Sequence, residues 1–590
     1  MKDFFKFTLA TITGIVVSSI VLFFIGIMIL VGLMSVSESE TVINKSSVMM
    51  LDLSGELRER SQENPFEEFF GDEDYVSYGL DDILSSIQKA KDHNDIKGIY
   101  IQATHLSTSF AALQEIRDAL ADFKTTGKFI VSYGDVYTQG LYYLSSVSDK
   151  VLLNPKGRVE WKGLASTPIF YKDLLEKLGI EMQIFKVGTY KSAVEPYINT
   201  EMSEANREQV KEYISSIWSQ LVEDVSISRN ISADSLNMIA DKMVMFSQAE
   251  DILNYGLVDS LIYKNDVRDY LKSLANIDKD GKLSVYNLAE MVNVRRNVPK
   301  DKSGNIIAVY YAAGGIDMGS SSYSTEETII SSKVIRDLKK LKDQESVKAV
   351  VLRVNSGGGS AYGSEQIWHA VEELKAEKPV IVSMGNYAAS GGYYISCSAD
   401  CIVAEPTTLT GSIGIFGMMP NIGGLTKKVG LTFDVVKTNK FSDFGALGRG
   451  LNNDEKSLLQ MMVNDGYDLF LTRCADGRNM PKEEIAKVAE GRVWTGSKAK
   501  ELGLVDELGG LDKALQIAIE KADVEGYTVV SYPEKEDFFS LFLKEKGESY
   551  IESKLLKSKL GDYYNQLNFI KSIENADLIQ ARLPFDLNIK

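Results

Sequence analysis

Residues 382–401, VSMGNYAASGGYYISCSADC, repeat residues 131–150, VSYGDVYTQGLYYLSSVSDK, at an offset of 251, and eight of the twenty positions are identical. The register continues without a gap on both sides and keeps pairs such as Pro155 and Pro406. Self-similarity at one long period indicates a duplicated structural unit. A chance likeness between two segments would not keep its register over so many glycine, proline and tyrosine positions.

The duplication predicts the domain organisation. GLVD at 256–259 recurs at 503–506, so a few residues have been deleted before this second match. We expect a first repeat over residues 45–264 and a second over residues 305–530. The polar, charged stretch between them, residues 265–304, is typical of a linker with some helix.

Each repeat alternates short apolar runs with amphipathic segments. IKGIYIQA and KFIVSYG in the first repeat, with VKAVVLRV and PVIVSMG in the second, predict buried strands. LQEIRDALADFKT and SEQIWHAVEELKAE have the spacing of amphipathic helices. Strands that alternate with helices favour an α/β fold with a mostly parallel sheet, shared by both repeats.

The composition excludes several classes of function. The 590 residues carry a net charge of −17 and no basic stripe, which argues against a nucleic-acid partner. The three cysteines and three histidines show neither metal-binding spacing nor a disulfide framework. We therefore expect no metal and no other cofactor, and so few histidines also weaken a Ser-His-Asp interpretation.

Residues 7–34 carry no charged side chain. At 1.5 Å of helix per residue, this stretch is long enough to cross the roughly 30 Å apolar core of a bilayer. We expect a retained transmembrane anchor rather than a cleaved leader, because no clear cleavage site follows. Lys2 and Lys6 in the flank, residues 1–6, place the N-terminus in the cytoplasm and both repeats on the extracytoplasmic, periplasmic side of the inner membrane.

The two repeats differ in a complementary way at the positions that could carry chemistry. Ser390 of the second repeat corresponds to Gln139 of the first, whereas Lys191 of the first corresponds to Ser442 of the second. A lysine that is buried in an apolar cavity loses its proton more readily, and a neutral amine can activate a serine. The pattern predicts a Ser-Lys catalytic pair in which Ser390 is the nucleophile and Lys191 the general base.

Three further features of the second repeat support this pair. The turn NSGGGSA, 355–361, follows a strand, and the amides of Gly358 or Gly359 together with Gly391 could hold an oxyanion. In ASGG, 389–392, the serine follows a small residue and precedes two glycines at a predicted strand-to-helix junction, which leaves its hydroxyl uncrowded. Ser412, in TGSIG, could orient the lysine amine by a hydrogen bond. The first repeat has HLSTS, TQGL and EWKG at these places and retains none of the three features.

Each signal has a simpler explanation when it is taken alone. A glycine-rich turn could bind phosphate or merely reverse the chain, and a lone lysine usually lies on the surface. Lys186 corresponds to Lys437 and so shows no asymmetry between the repeats. Ser192 beside Lys191 is another possible hydrogen-bond partner of the amine.

At these residues the chain resembles the signal peptide peptidase A family in its long, duplicated bacterial form. The motifs that carry the resemblance are FKVGTYKSAVEPY (185–197), RVNSGGGSA (353–361), MGNYAASGGYYIS (384–396), TLTGSIGIFG (408–417) and GRVWTGSKAKELGLVDELGG (491–510). The resemblance implies a ClpP/crotonase-like fold in both repeats and a membrane-bound serine protease. It also implies a homotetramer with internal active sites whose substrates are cleaved signal peptides. The family turn usually has proline where this chain has Gly357.

The prediction is therefore a membrane-anchored serine endopeptidase that degrades signal peptides and other small or unfolded hydrophobic peptides. A broader envelope protease of membrane-protein or lipoprotein fragments, a crotonase-type acyl-CoA enzyme and a non-catalytic membrane scaffold are the alternatives. Residues 531–590 match no part of the repeats, and we expect a C-terminal extension, helical in character, used in assembly or at the membrane.

Overall fold

A computed structural model describes residues 2–35, 40–61, 77–298, 301–319, 328–535 and 579–583. Within them, each repeat forms its own sheet, and a third sheet joins strands of both repeats. The strands are β1 (Ser47–Arg58), β2 (Ser77–Gly79), β3 (Ile96–Ser107), β4 (Phe129–Tyr137), β5 (Lys150–Val159), β6 (Glu181–Lys186), β7 (Ser260–Leu261), β8 (Ser284–Tyr286), β9 (Ile306–Ala313), β10 (Gly315–Asp317), β11 (Thr328–Ile330), β12 (Val347–Ser356), β13 (Gly358–Ser360), β14 (Val380–Ala389), β15 (Cys401–Ala404), β16 (Leu409–Gly411), β17 (Phe416–Asn421), β18 (Val493–Thr495), β19 (Glu507–Leu508), β20 (Thr528–Tyr532) and β21 (Ile579–Arg582).

Helices pack on both sides of the sheets. They are α1 (Lys2–Ser35), α2 (Leu80–Asp92), α3 (Phe110–Lys124), α4 (Gln139–Ser145), α5 (Lys172–Leu178), α6 (Glu195–Ile198), α7 (Glu204–Arg229), α8 (Ala233–Ala240), α9 (Ala249–Asn254), α10 (Lys264–Leu274), α11 (Leu288–Val292), α12 (Ser331–Asp343), α13 (Ala361–Lys375), α14 (Gly391–Tyr394), α15 (Gly423–Lys428), α16 (Asn453–Arg478), α17 (Lys482–Val488), α18 (Gly496–Glu501) and α19 (Leu511–Ala522), with short 3₁₀ turns at Ser192–Val194 and Val244–Phe246.

The first repeat's sheet has the strand order β2-β1-β3-β4-β5-β7, and all its pairs are parallel. The second repeat's sheet has the order β18-β16-β14-β12-β9-β20, with β15 and β19 beside β14. It is parallel except where β16 meets β18. The prediction of an α/β fold with mostly parallel sheets in both repeats is confirmed.

The central strands are apolar on both faces because helices cover both sides of each sheet. In β12, Val350, Val351 and Leu352 are all fully buried, and β3 is likewise buried on both faces at Ile99, Tyr100 and Ile101. The apolar runs identified in the sequence are therefore core strands.

A buried ion cluster holds the two repeats together. Arg353 of β12 lies 2.8 Å from the carboxylate of Glu59 and 2.7 Å from that of Glu115, and both acids belong to the first repeat. Burial opposes the charge on Arg353, but the two carboxylates outweigh it, raise the pKa of Arg353 above its usual range and keep the guanidinium charged. Removing one partner would leave an uncompensated buried charge, so the cluster fixes the relative position of the repeats.

Residues 265–304, expected to be a linker with some helix, contain α11 and most of α10. They also contribute β8, which pairs with β1 and extends the first repeat's sheet. In the tail, residues 536–578 and 584–590 lie outside the described residues, so the expectation of a helical extension falls mainly on those positions. The described part of the tail contains β21, a strand that the sequence analysis did not predict.

The N-terminal segment forms α1, which covers the charge-free residues 7–34. Among the residues that the structure describes, no helix satisfies the joint requirements of length and apolarity for a membrane span.

Candidate active site

Ser390 lies at the junction between the end of β14 and the start of α14. Its backbone has φ 55° and ψ −113°, a conformation that non-glycine residues rarely adopt. The Ser390 N–H donates to the Gly411 carbonyl at 2.8 Å, and its side chain is fully buried. Strained backbone of this kind persists only where its surroundings enforce it, and it is concentrated at functional sites.

Lys191 reaches this junction from the first repeat. It follows β6, which leaves its own repeat and pairs antiparallel with β17 of the second repeat, from Glu181 opposite Asn421 to Lys186 opposite Phe416. This inter-repeat pairing carries the next residues of the first repeat across the boundary. The Lys191 side chain ends fully buried next to Ser390 of the same chain.

The Lys191 amine is surrounded by uncharged oxygens. Its Nζ lies 2.8 Å from Ser390 Oγ, 3.0 Å from Ser412 Oγ and 3.1 Å from the Ser412 carbonyl oxygen. In the part of the chain that the structure describes, no carboxylate pairs with it. Burial lowers the pKa of Lys191 well below its usual value, because nothing compensates the desolvation of the ammonium.

A neutral amine matches this set of partners. It has two N–H donors and one lone pair, so it can donate to both oxygens of Ser412 and accept the Ser390 O–H. An ammonium would have no lone pair for the serine. The geometry can therefore activate a hydroxyl by removing its proton.

Ser412 contacts the amine through both its hydroxyl and its carbonyl oxygen. Its backbone also has a positive φ, 49°, and its N–H donates to the Arg492 carbonyl at 2.7 Å. This bond holds Ser412 so that its hydroxyl and carbonyl oxygens both face Lys191. The structure thus brings together the three side chains that the sequence analysis selected.

The predicted oxyanion glycines also converge on Ser390. Gly358 has φ 93°, and a Cβ on this residue would lie 2.6 Å from the Gly391 amide nitrogen. The Gly358 N–H donates to Ser356 Oγ at 3.1 Å, and both Gly358 and Gly359 belong to the short strand β13, which pairs with β21. Glycine is required at position 358 by both its conformation and the close approach of its neighbours.

Sequence reasoning missed two residues that position the lysine. Gly491 has φ 78°, and a Cβ there would lie 2.6 Å from the Cβ of Lys191, so glycine gives the lysine segment room to approach. Gln209 of α7 donates to Ser192 Oγ at 3.0 Å and to the Tyr190 carbonyl at 3.1 Å, and accepts from the Val493 N–H at 3.2 Å. Ser192 is thus bonded to Gln209. Gly491 lies in a quoted motif, but nothing in the sequence connects it to Lys191.

Beside the site, β13 and β17 form the two edges of a groove in the third sheet that β21 fills. The third sheet has the order β11-β10-β13-β21-β17-β6, so β21 of the tail occupies the space between the glycine turn and the strand that pairs with β6. An extended peptide that displaced β21 could hydrogen-bond its backbone to both edges.

Comparisons with known proteins identify a family of peptidases. Residues 122–278 and 372–525 match Peptidase family S49. The chain is 34% identical over 557 residues to "Protease 4" of Haemophilus influenzae, covering 91% of this chain and 88% of that protein. It is 30% identical over 485 residues to "Serine protease SPPA, chloroplastic" of Arabidopsis thaliana, covering 82% and 70%. Among solved structures, a point mutant of ClpP1 from Listeria monocytogenes matches 36% of this chain and 95% of its own at a TM-score of 0.24 and 14% identity, which is too weak a likeness to define the fold.

Proposed function

The chain belongs to peptidase family S49 and is a serine protease, and from that premise we propose that Ser390 is its nucleophile and Lys191 its general base. The observation that carries this proposal is the buried Lys191 amine, 2.8 Å from Ser390 Oγ and without a counter-charge among the described residues. Ser412 orients the amine. The alternatives of an acyl-CoA enzyme and of a non-catalytic scaffold find no support in the family membership. We further propose that both repeats have the ClpP/crotonase-like fold that the motifs imply.

Acylation begins when the neutral Lys191 amine takes the Ser390 proton as the hydroxyl oxygen attacks the peptide carbonyl. The carbonyl oxygen becomes an oxyanion, which backbone N–H groups of the glycine turn and Gly391 stabilise. Lys191 then gives its proton to the leaving amine, the peptide bond breaks, and Ser390 carries the acyl group. The buried surroundings favour this proton transfer because they disfavour a persistent ammonium.

Deacylation reverses the same proton path. A water molecule enters where the amine product left, and Lys191 takes its proton while the hydroxide attacks the ester carbonyl. The bond to Ser390 Oγ breaks, and the proton on Lys191 returns to the serine oxygen. The enzyme is restored, and the second product leaves with a new carboxylate.

The proposed substrates are cleaved signal peptides and other small or unfolded hydrophobic peptides. A groove between two strand edges requires an extended substrate, which a folded domain does not offer. A broader protease of membrane-protein or lipoprotein fragments would use the same groove, and product mapping separates the two. Leader peptides cleaved within their apolar core support the first; preference for loop-derived polar peptides supports the second.

A peptidase assay on a synthetic leader peptide, read by mass spectrometry, tests the Ser-Lys pair. Ser390→Ala and Lys191→Ala should each abolish the products, and Ser390→Ala should also lose labelling by a serine-directed fluorophosphonate. Lys186→Ala is the matched control, because this lysine precedes Lys191 by five residues and does not enter the pair. Full activity in either of the first two variants would contradict the proposal.

We propose that the charge-free residues 7–34 anchor the chain in the inner membrane, with the N-terminus cytoplasmic and the repeats periplasmic, although no helix among the described residues meets the joint requirements for a membrane span. The support is the absence of charge in residues 7–34 and the exposure of Ile12, Ile15 and Val16, which are 55%, 60% and 50% exposed. Alkaline carbonate extraction should leave the full chain in the membrane pellet and release a variant without residues 2–35. Protease added to the periplasmic side should digest the repeats; protection from it would reverse the orientation.

We propose a homotetramer in which the internal β6–β17 pairing is repeated between chains. At the offset of 251, β6 corresponds to residues 432–437 and β17 to residues 165–170. Residues 432–437 form no strand here, and Val436 is 98% exposed. If 432–437 of one chain paired with 165–170 of the next, each contact would join unlike surfaces, and such head-to-tail contacts close into rings.

Native mass spectrometry tests this assembly. Val436→Asp should dissociate the four-chain species, because it places a carboxylate in an apolar strand interface. Ile227→Asp is the control, since Ile227 is 75% exposed on α7, away from the two predicted strands. A four-chain species that survives Val436→Asp unchanged would refute this pairing.

A further inference from the structure

Arg492 of the second repeat lies between two aromatic rings where the repeats meet beside Lys191. Its guanidinium carbon lies 4.5 Å from the centre of the Tyr190 ring and 4.5 Å from the centre of the Trp494 ring. Tyr190 belongs to the first repeat and directly precedes Lys191 in the chain. A cation at this distance from aromatic rings is attracted to them, so the guanidinium links a residue of each repeat.

Hydrogen bonds hold the same guanidinium against the first repeat. Its Nη1 donates to the Tyr190 hydroxyl oxygen at 3.1 Å, and its Nη2 donates to Glu208 Oε1 at 3.0 Å and to Glu212 Oε2. Both glutamates lie on α7. Burial opposes the charge on Arg492, but Glu212, Tyr190 and Glu208 outweigh it and raise the pKa of the guanidinium above its usual value. A planar guanidinium can stack on the rings and donate at its edges at the same time, whereas an ammonium cannot.

The backbone of Arg492 holds the other partner of the lysine. Its carbonyl oxygen accepts from the Ser412 N–H at 2.7 Å, and the Lys191 amine donates to the hydroxyl and carbonyl oxygens of Ser412. The indole of Trp494 is fixed in turn, because its N–H donates to the Val488 carbonyl at 2.9 Å. Arg492 therefore connects the residue before Lys191 with the residue that accepts from its amine.

The duplication shows that the arginine occurs with the lysine. GLVD recurs at an offset of 247, and at that offset Arg492 corresponds to Met245 of the first repeat. At the offset of 251, Tyr190 corresponds to Phe441, which precedes Ser442. The equivalent place in the duplicated fold thus lacks the guanidinium, the phenol hydroxyl and the amine together, as expected if the first two groups support the third.

Arg492 affects Lys191 through position rather than through charge. Burial alone lowers the pKa of Lys191, and no neighbouring cation contributes to the shift. The amine is bonded to uncharged oxygens of Ser390 and Ser412. A Lys191 side chain displaced from these oxygens would meet water, and its pKa would rise toward the ordinary value.

We propose that Arg492 is a positioning residue that sets the Lys191 amine between Ser412 and Ser390, an inference that rests on the proposed catalytic roles of Ser390 and Lys191. The side chain of Arg492 holds Tyr190, and its backbone holds Ser412, so one residue of the second repeat fixes the lysine from two directions. Without the guanidinium, the lysine segment would lose a contact that sets its register. The chemical step should then suffer more than substrate binding.

The pH dependence of leader-peptide hydrolysis by the detergent-solubilised full chain tests this role. Arg492→Gln should lower kcat at neutral pH about 100-fold, the cost of displacing a catalytic group by about 1 Å, and leave KM unchanged. The pH at which kcat reaches half of its maximum should also rise, because a hydrated lysine holds its proton more tightly. Loss of folded enzyme would instead lower kcat at every pH without moving this midpoint, and that result would overturn the inference.

Arg478→Gln is the matched control. The side chain of Arg478 is 7% exposed and donates to Asp506 and to the Gly503 carbonyl, away from the lysine. This variant should lower the Tm but keep the wild-type kcat and midpoint. A wild-type kcat and midpoint in Arg492→Gln would contradict the positioning role alone, whereas leader hydrolysis by Ser390→Ala would contradict the proposed function.

A double-mutant cycle tests the contact with the tyrosine. Tyr190→Ala removes the ring and the hydroxyl that Arg492 contacts, so it should lower kcat as Arg492→Gln does, and the two changes together should cost no more than either alone. Arg492→Lys keeps the charge but not the planar group, and its kcat should stay well below that of wild type. Independent, multiplicative losses in the double variant, or a wild-type kcat in Arg492→Lys, would refute the assignment.

Discussion

Position 139 of the first repeat and position 390 of the second occupy the same place in the duplicated fold, yet their backbones differ. Gln139 begins α4 in ordinary helical geometry, with Thr138 as the capping residue. Its amide oxygen accepts from the N–H groups of Lys162 and Gly163 at 2.9 and 3.1 Å. Ser390 has instead a strained backbone and a hydroxyl directed at Lys191. In the first repeat the Gln139 side chain thus occupies the place that corresponds to the active site. Of these two positions, only Ser390 has a strained backbone.

The lysine half shows the opposite loss. Lys191 is fully buried after β6, whereas its equivalent, Ser442, lies in an exposed turn where its hydroxyl accepts from the Asn439 N–H at 3.2 Å. Each repeat therefore keeps one functional group. Where it has lost the other, the equivalent residue has ordinary helical geometry, as at Gln139, or is exposed, as at Ser442. Because the inter-repeat strand pair β6–β17 joins the halves, a complete site requires both repeats in one fixed arrangement.

The strongest test moves the nucleophile to the first repeat. Ser390→Ala combined with Gln139→Ser should be at least about 10⁴-fold less active than wild type, as for loss of a catalytic serine. The transferred hydroxyl has neither a buried lysine nor a strained backbone. Gln139→Ser alone should keep wild-type kcat/KM. Recovery of leader hydrolysis, or fluorophosphonate labelling at position 139, would show that the first repeat retains a usable site.

The glycine turn provides the next largest effect. Gly358→Ala should reduce kcat about 100–1,000-fold, because a Cβ there would lie 2.6 Å from the Gly391 amide nitrogen and so disturb the proposed oxyanion donors. Its equivalent in the first repeat is Ser107, an exposed residue, and Ser107→Ala should leave kcat unchanged. Thermal unfolding of both variants distinguishes loss of the site from loss of the fold. A Gly358→Ala enzyme with normal kcat would remove the turn from the mechanism.

A smaller effect on kcat is expected at Gly491, the residue of the second repeat that lies against Lys191. Gly491→Ala should lower kcat about 100-fold, because displacing a catalytic group by about 1 Å costs that much. The first repeat has Val244 at the equivalent position, buried in its core. Val244→Ala should instead reduce the free energy of unfolding by about 0.5–3 kcal/mol and leave kcat unchanged. If Gly491→Ala lost stability but no activity, Gly491 would only support the fold.

The sequence was sufficient for the parts of the site that the duplication marks. Ser390, Lys191 and Ser412 could be selected because each has a counterpart that has lost the function. The buried strands could be predicted because short apolar runs rich in valine, such as VKAVVLRV, are typical of core strands. The mostly parallel arrangement of the strands could be predicted because strands and helices alternate along the chain.

The remaining features depend on contacts that leave no local signal. β21 is a four-residue strand separated from β13 by more than two hundred positions, with no second copy to compare. Gln209 and Gly491 are ordinary residues until the fold brings them to Lys191. The strand β8 in the segment expected to be a linker pairs with β1 by a register that its sequence does not encode on its own.

The pH dependence of stability gives the finest measure of the difference between Lys191 and Ser442. Burial lowers the pKa of Lys191 in the folded chain, whereas the unfolded chain titrates near 10.4. Between these two values the unfolded state binds the extra proton, so folding stability should rise with pH by up to about 1.4 kcal/mol per pH unit. Below the lowered pKa both states are protonated and this contribution to the slope disappears.

Urea unfolding between pH 7 and 9.5 measures that slope in a pair of variants. Lys191→Met should remove it and should be more stable than wild type at the lower pH, because a methionine has no proton to lose on burial. Ser442→Met changes an exposed position and should keep the wild-type slope. If Lys191→Met and wild type had parallel stability profiles, the folded lysine would titrate normally. It would then be protonated at neutral pH, and an ammonium cannot serve as the base for Ser390.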